Sequence, residues 1–162
     1  MTIVVRLLAD VPELIEPVGR MRWAEWGGGD DVDAWISTTR REAGRDDLPV
    51  TWVAVDDTGA ALGAVALGPS DVARRPELVP CIWGLVVRAD VRGSGVGALL
   101  LRRLERFAVD RGDPVVWVAT GPPAVGFYER CGWRRVEELA GATLLRKQIS
   151  SPHPVCPAAP GS

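Results

Sequence analysis

Arg92-Gly93-Ser94-Gly95-Val96-Gly97, preceded by the apolar run Ile82 to Val87 and followed by Ala98 to Gly112, reads as strand, glycine turn and helix. Glycines at 93, 95 and 97 permit positive φ and leave no Cβ between backbone and ligand, so several N–H groups can converge on one space. That space lies at a helix N-terminus, where unpaired donors and the helix dipole favour a phosphate. The dipole contributes only about 0.3–1 kcal/mol when exposed, so tight binding also needs direct N–H bonds and the charge of Arg92. The same glycines would equally serve a tight strand-to-helix turn with no ligand, and the surroundings decide between the two.

Two general phosphate motifs can be tested against those surroundings. A P-loop needs a lysine directly after its last glycine, and the only lysine is Lys147. Gly93-x-Gly95-x-x-Ala98 does match a dinucleotide fingerprint, which would make the chain an oxidoreductase. That fingerprint calls for an acidic residue at the end of the next strand, however, and Val115 to Thr120 offers none.

The 162 residues, 47% hydrophobic and 25% charged, suit one soluble domain with a full core, expected over 1–149. A net charge of −2 without a basic stripe gives no case for nucleic acid. No stretch approaches the roughly 18 apolar residues of a membrane span, and Met1 to Asp10 lacks the layout of a signal peptide. Cys81, Cys131 and Cys156 are odd in number and scattered, which fits reduced thiols in a cytoplasm. With His153 the only histidine, no metal site is expected.

Thr2 to Leu8 reads as a first strand, and Asp10-Val11-Pro12-Glu13 resembles a capping box opening a helix that buries Leu14, Ile15, Val18 and Met21. Pro17 should kink or split that helix. After Gly27-Gly28-Gly29, Asp30 or Asp31 caps a second helix that ends near Gly44. Thr51 to Val55 and Ala61 to Leu67 form a hairpin, and Gly68 to Pro80 is a surface loop. Cys81 to Val87 is apolar on both faces, as at the centre of a sheet, and Gly84 within it suggests a bulge. Leu100, Leu104, Phe107 and Ala108 mark the inner face of the helix after the glycine turn, with Arg102, Arg103 and Arg106 outside. Val115 to Ala119 is a strand parallel to Cys81 to Val87, and Pro122-Pro123 opens a short helix closed by Gly132. Trp133 to Leu139 and Ala142 to Ile149 form a last hairpin, followed by a proline-rich tail over 150–162 expected to be disordered. The order is β α α β β β α β α β β.

The segment Leu85-Val86-Val87-Arg88-Ala89-Asp90-Val91-Arg92-Gly93-Ser94-Gly95-Val96-Gly97 resembles motif A of the GNAT superfamily of N-acetyltransferases, with its Arg/Gln-x-x-Gly-x-Gly/Ala turn. Ala124-Val125-Gly126-Phe127-Tyr128-Glu129-Arg130-Cys131-Gly132-Trp133 resembles that family's later motif, an Ala-x-x-Phe-Tyr followed by a Gly-aromatic step. One helix and one strand separate the two motifs, as in the family. The resemblance implies a single-domain α/β (α+β) acyl-CoA N-acyltransferase-like fold, with a mixed sheet of about seven strands and about four helices.

It also implies acetyl-CoA as co-substrate and a small-molecule or peptide amine as acceptor. The pyrophosphate would rest on Arg92, Gly93, Ser94, Gly95, Val96 and Gly97, and the pantetheine arm would pair with backbone at Leu85, Val86 and Val87. Thr120, Ala124, Phe127, Tyr128 and Arg130 would complete the cofactor site. Transfer from a thioester to an amine passes through a tetrahedral oxyanion, for which the Val86 N–H is the expected donor. Tyr128, the only tyrosine, occupies the family's general-acid position. The carboxylate that related enzymes place on the fourth or fifth strand is missing here, which leaves Glu25, Asp30 or Asp31 acting through water, or solvent alone, as base. Trp23, Glu25, Trp26 and Trp83 are the expected acceptor contacts, aromatic faces among carboxylates that suit a cationic amine. A non-catalytic acyl-CoA sensor is the alternative. A homodimer is expected through an apolar face of the terminal hairpin.

Overall fold

The computed structural model describes residues 2–149. Its strands are Val4–Leu7 (β1), Val50–Val55 (β2), Ala61–Gly68 (β3), Cys81–Val87 (β4), Val115–Thr120 (β5), Arg134–Leu139 (β6) and Ala142–Gln148 (β7). The helices are Ile15–Trp26 (α1), Val32–Arg41 (α2), Val96–Arg111 (α3) and Pro122–Arg130 (α4). One sheet has the order β1-β2-β3-β4-β5-β7-β6, antiparallel throughout except for the parallel pair β4 and β5. The chain order is the expected one, and the tail over 150–162 lies outside the described residues. Among the described residues no helix is long and apolar enough to cross a membrane.

Alternation along β2 divides the core. Trp52 and Ala54 face α3, packing with Leu100, Leu104 and Ala108, while Val53 and Val55 face α1 with Ile15 and Val18. At about 25 cal/mol per Å² of apolar surface, these two buried layers dominate the stability of the fold. β2 and β3 are completely buried, and β4 beside them is the central strand of the seven.

Three local expectations give way to tertiary context. The Asp10 carboxylate does not cap α1; it accepts from Arg45 Nη1 at 2.6 Å, and 3-10 turns over Leu8–Asp10 and Pro12–Leu14 precede the helix. Pro17 then falls third in α1, where its missing N–H is one that has no intrahelical partner anyway, so the helix continues through it. The outer edge of the terminal hairpin is mainly charged rather than apolar: β6 exposes Arg134, Arg135, Glu137 and Glu138 around the single apolar Val136, an edge of the kind that resists edge-to-edge pairing. That removes the motive for a dimer. Asp31 does cap α2, its Oδ1 accepting from Asp33 N at 3.1 Å.

Candidate active site

Gly84 has φ of +55°, and Gly84 and Leu85 together oppose Val65 alone, since Trp83 pairs with Ala66 and Val86 with Ala64. This bulge turns β4 away from its parallel neighbour. The two strands meet in register only at Cys81 and Trp117, where Trp117 N donates to Pro80 O at 3.0 Å, and separate beyond it. Arg88 N donates to Leu62 O at 2.8 Å, so the two-residue alternation of the ladder turns the Val86 N–H toward Ala64 on β3. Leu85 and Val87 therefore direct their amides into the opening. The expected role of Val86 as oxyanion donor is corrected on this ground, and the amide available there is that of Leu85.

The glycine turn closes one end of the opening. Gly93 and Gly95 have φ of +82° and +90°, and a Cβ on either would meet nothing within 4 Å, so their bare backbone borders open space. Gly97 is tighter, since a Cβ there would stand 3.0 Å from the Phe127 ring. Leu85, Val86, Val87, Arg92, Gly93, Gly95, Val96, Gly97, Ala124, Phe127 and Arg130 line one groove of about 530 Å³. Ser94 does not line it; its hydroxyl donates to Val91 O. Arg92 lines the groove with its guanidinium turned back, Nε to Val87 O at 3.0 Å and Nη2 to Glu25 Oε2 at 2.8 Å.

A second cavity of about 560 Å³ adjoins the groove, sharing Glu25, Leu85, Pro123 and Ala124 with it. Thr120 and Tyr128, expected at the cofactor, line this cavity instead, together with Glu25, Trp26 and Trp83 from the expected acceptor contacts. Trp23 does not line it, and its Nε1 donates to Asp30 O at 2.8 Å beside the loop that ends α1. Trp35 supplies an aromatic wall in its place, its indole held toward Asp30 Oδ2 at 3.3 Å.

Tyr128 rather than Phe127 is the deep residue of α4. Val125 and Tyr128 sit three apart on the inward face, leaving Phe127 half-buried against the glycine turn. Tyr128 is 2% exposed, with edge-to-face contacts to Phe127 and Trp133 at 5.3 and 5.4 Å. Burial raises its pKa beyond the ordinary tyrosine range, so the phenol stays protonated. Its hydroxyl forms no hydrogen bond among the described residues.

Three charged residues that the sequence reading did not select also line the second cavity. Arg22, 3% exposed, pairs with Glu42 at 3.3 Å; burial lowers the arginine's pKa and raises the carboxyl's, with each charge opposing the other's shift. Arg22 follows Val18 by four residues, so a charge on the apolar stripe of α1 was a legible signal. Asp71 lies in the β3–β4 loop, and its surroundings raise its carboxyl pKa by desolvation. Among the described residues it is the one carboxylate of this cavity without an arginine partner, because Glu25 is held by Arg92 and Glu42 by Arg22.

The family model described as the acetyltransferase (GNAT) family matches residues 15–133. No curated protein matches the sequence significantly. Among solved structures, an aminoglycoside 6'-N-acetyltransferase complexed with coenzyme A is 17% identical, with a TM-score of 0.73 over 93% of this chain and 98% of that one. A GNAT-family acetyltransferase from Staphylococcus aureus Mu50 is 13% identical, with a TM-score of 0.72 over 92% and 100% of the two chains. The PaiA N-acetyltransferase of Thermoplasma acidophilum, in complex with coenzyme A, is 18% identical, with a TM-score of 0.68 over 91% and 99%. These likenesses show a shared fold.

Proposed function

Because the chain belongs to the acetyltransferase (GNAT) family, we infer that it transfers the acetyl group of acetyl-CoA to a primary amine of a small molecule or peptide. One observation carries the reading: a groove bordered by bare glycine backbone and by the free amides of a splayed strand opens into a second cavity at a buried, protonated tyrosine. The groove suits a CoA. A Cβ on Gly93 or Gly95 would occupy its open space, Arg92 and Arg130 supply charge for phosphates, and Leu85 and Val87 offer amides to an extended arm. Two of the structural neighbours are complexes with coenzyme A, which supports the same assignment.

Bound acetyl-CoA supplies an acetyl thioester whose carbonyl develops negative charge during transfer. The Leu85 N–H, first after the bulge, is placed to donate to that oxygen. Tyr128 holds the proton that a departing thiolate needs, and its raised pKa keeps that proton in place at neutral pH. Asp71 takes the proton of the incoming ammonium, directly or through water, and desolvation makes it a stronger base than an exposed aspartate. Glu25, Asp30 and Asp31 are poorer candidates: Glu25 is open to solvent, Asp30 holds Trp35, and Asp31 caps α2.

The test is calorimetry with acetyl-CoA and CoA, followed by a thiol-release assay across a panel of primary amines. Micromolar binding of acetyl-CoA and amine-dependent release of CoA are expected. Binding without release for any amine would favour a sensor, and absence of binding would overturn the reading.

A further inference from the structure

The Arg22 guanidinium is nearly sealed from solvent and only partly satisfied. Nε donates to Gly84 O at 3.4 Å, and Nη1 donates to Thr39 Oγ1 and Glu42 Oε1, both at 3.3 Å. Nη2, equally buried, has no partner among the described residues. Buried polar groups in folded proteins are almost always paired, and one left without an acceptor costs about 1–3 kcal/mol, more when charged. This unpaired donor belongs to a residue that lines the second cavity, the one assigned above to the acceptor.

Its position limits what can satisfy it. Nη2 stands 3.1 Å from where a Cβ on Gly84 would lie, and the next residue is Leu85, whose amide faces the acetyl oxygen in the proposed reaction. The donor is therefore beside the point where the amine attacks. Resting on the acetyltransferase reading, we propose that the Arg22 guanidinium, whose Nη2 is sealed in the free protein, turns toward the cavity when the acceptor binds and gives Nη2 to an oxygen carried within two or three bonds of the acceptor's amine, so that the acceptor is an α-amino acid or the amino-terminal residue of a peptide. Both present the same pattern, an amine with a carboxylate or carbonyl oxygen one carbon away. A simple alkylamine brings no oxygen there and leaves Nη2 unpaired. Glu42 already balances the charge of Arg22, so a neutral carbonyl serves as well as a carboxylate. Trp26, Trp35 and Trp83 wall the same cavity and select an apolar or aromatic side chain.

The full-length protein, saturated with CoA, is titrated calorimetrically with L-phenylalanine, L-phenylalanine amide and 2-phenylethylamine. These present a carboxylate, a carbonyl and neither. The two oxygen-bearing ligands are expected to bind at least about tenfold more tightly than the bare amine. Preference for the acid indicates free amino acids as the source of this chemistry, and preference for the amide indicates peptide amino termini. Equal affinity for all three, or binding of none by a protein that does bind CoA, overturns the proposal. Failure to bind CoA overturns the transferase reading and takes the proposal with it. The paired variant Arg22→Met with Glu42→Gln leaves no charge unpaired, and a cooperative melt verifies its fold. It should bind the three ligands within about twofold of one another; discrimination that persists in the folded variant also overturns the proposal.

Discussion

Tyr128 shows how burial can set a chemical role without a hydrogen-bond partner. Its hydroxyl pairs with nothing among the described residues, so Tyr128→Phe removes a proton donor without breaking a structural bond. The melting temperature should stay nearly constant and acetyl-CoA affinity should change little, while kcat falls by roughly 10²–10⁴. A kcat near the wild-type value in steady-state assays would assign the tyrosine to binding alone. Cys81 is raised to about 11 by burial, against about 8.5 for an ordinary thiol. Across that window the unfolded chain gives up a proton that the folded chain keeps, so stability falls as pH rises, by roughly 3 kcal/mol in all. Tyr128 adds a loss of the same sign at higher pH. Thermal melts from about pH 8 to 11 should therefore decline less steeply for Cys81→Ala than for wild type.

The glycine turn and β4 were the most legible parts of the chain, because their conformations require glycine and the sequence supplies it. Gly84 signalled a bulge, and the bulge is there with positive φ. The parity of the ladder was not legible: whether Val86 or Leu85 turns its N–H outward depends on how Val65 is straddled by its partners across the sheet. The start of α1 was misread for a related reason, since Arg45, distant in sequence, claims the Asp10 carboxylate that would otherwise have capped it. At the turn itself, Gly95→Asp meets no steric obstacle but places an L-residue at φ of +90°, a cost of about 1–2 kcal/mol, and sets a carboxylate against incoming phosphates. CoA affinity should drop at least about tenfold by calorimetry while the variant still melts cooperatively. Unchanged affinity would move the phosphate site away from this turn.

Element order and family membership could be read from the sequence of the entire chain because two motifs and a periodic core agreed with each other. The chemistry between the elements could not. Asp71 sits in an aperiodic loop, and only folding brings it to the wall that Tyr128 shares. Trp23 likewise stands away from that wall, because the loop after α1 engages its indole at Asp30 O.

The ion pair between Glu25 and Arg92 sits where the two cavities share a wall. Exposed pairs of this kind are worth about 0–1 kcal/mol, so a phosphate can easily draw the arginine away. The carboxylate released then faces the second cavity, where an ammonium can take the arginine's place. The two ligands are thus heterotropically coupled: CoA should tighten acceptor binding by up to about fivefold, and the acceptor should tighten CoA by the same factor. Glu25→Gln should erase this reciprocity, so that by calorimetry neither ligand changes the affinity of the other.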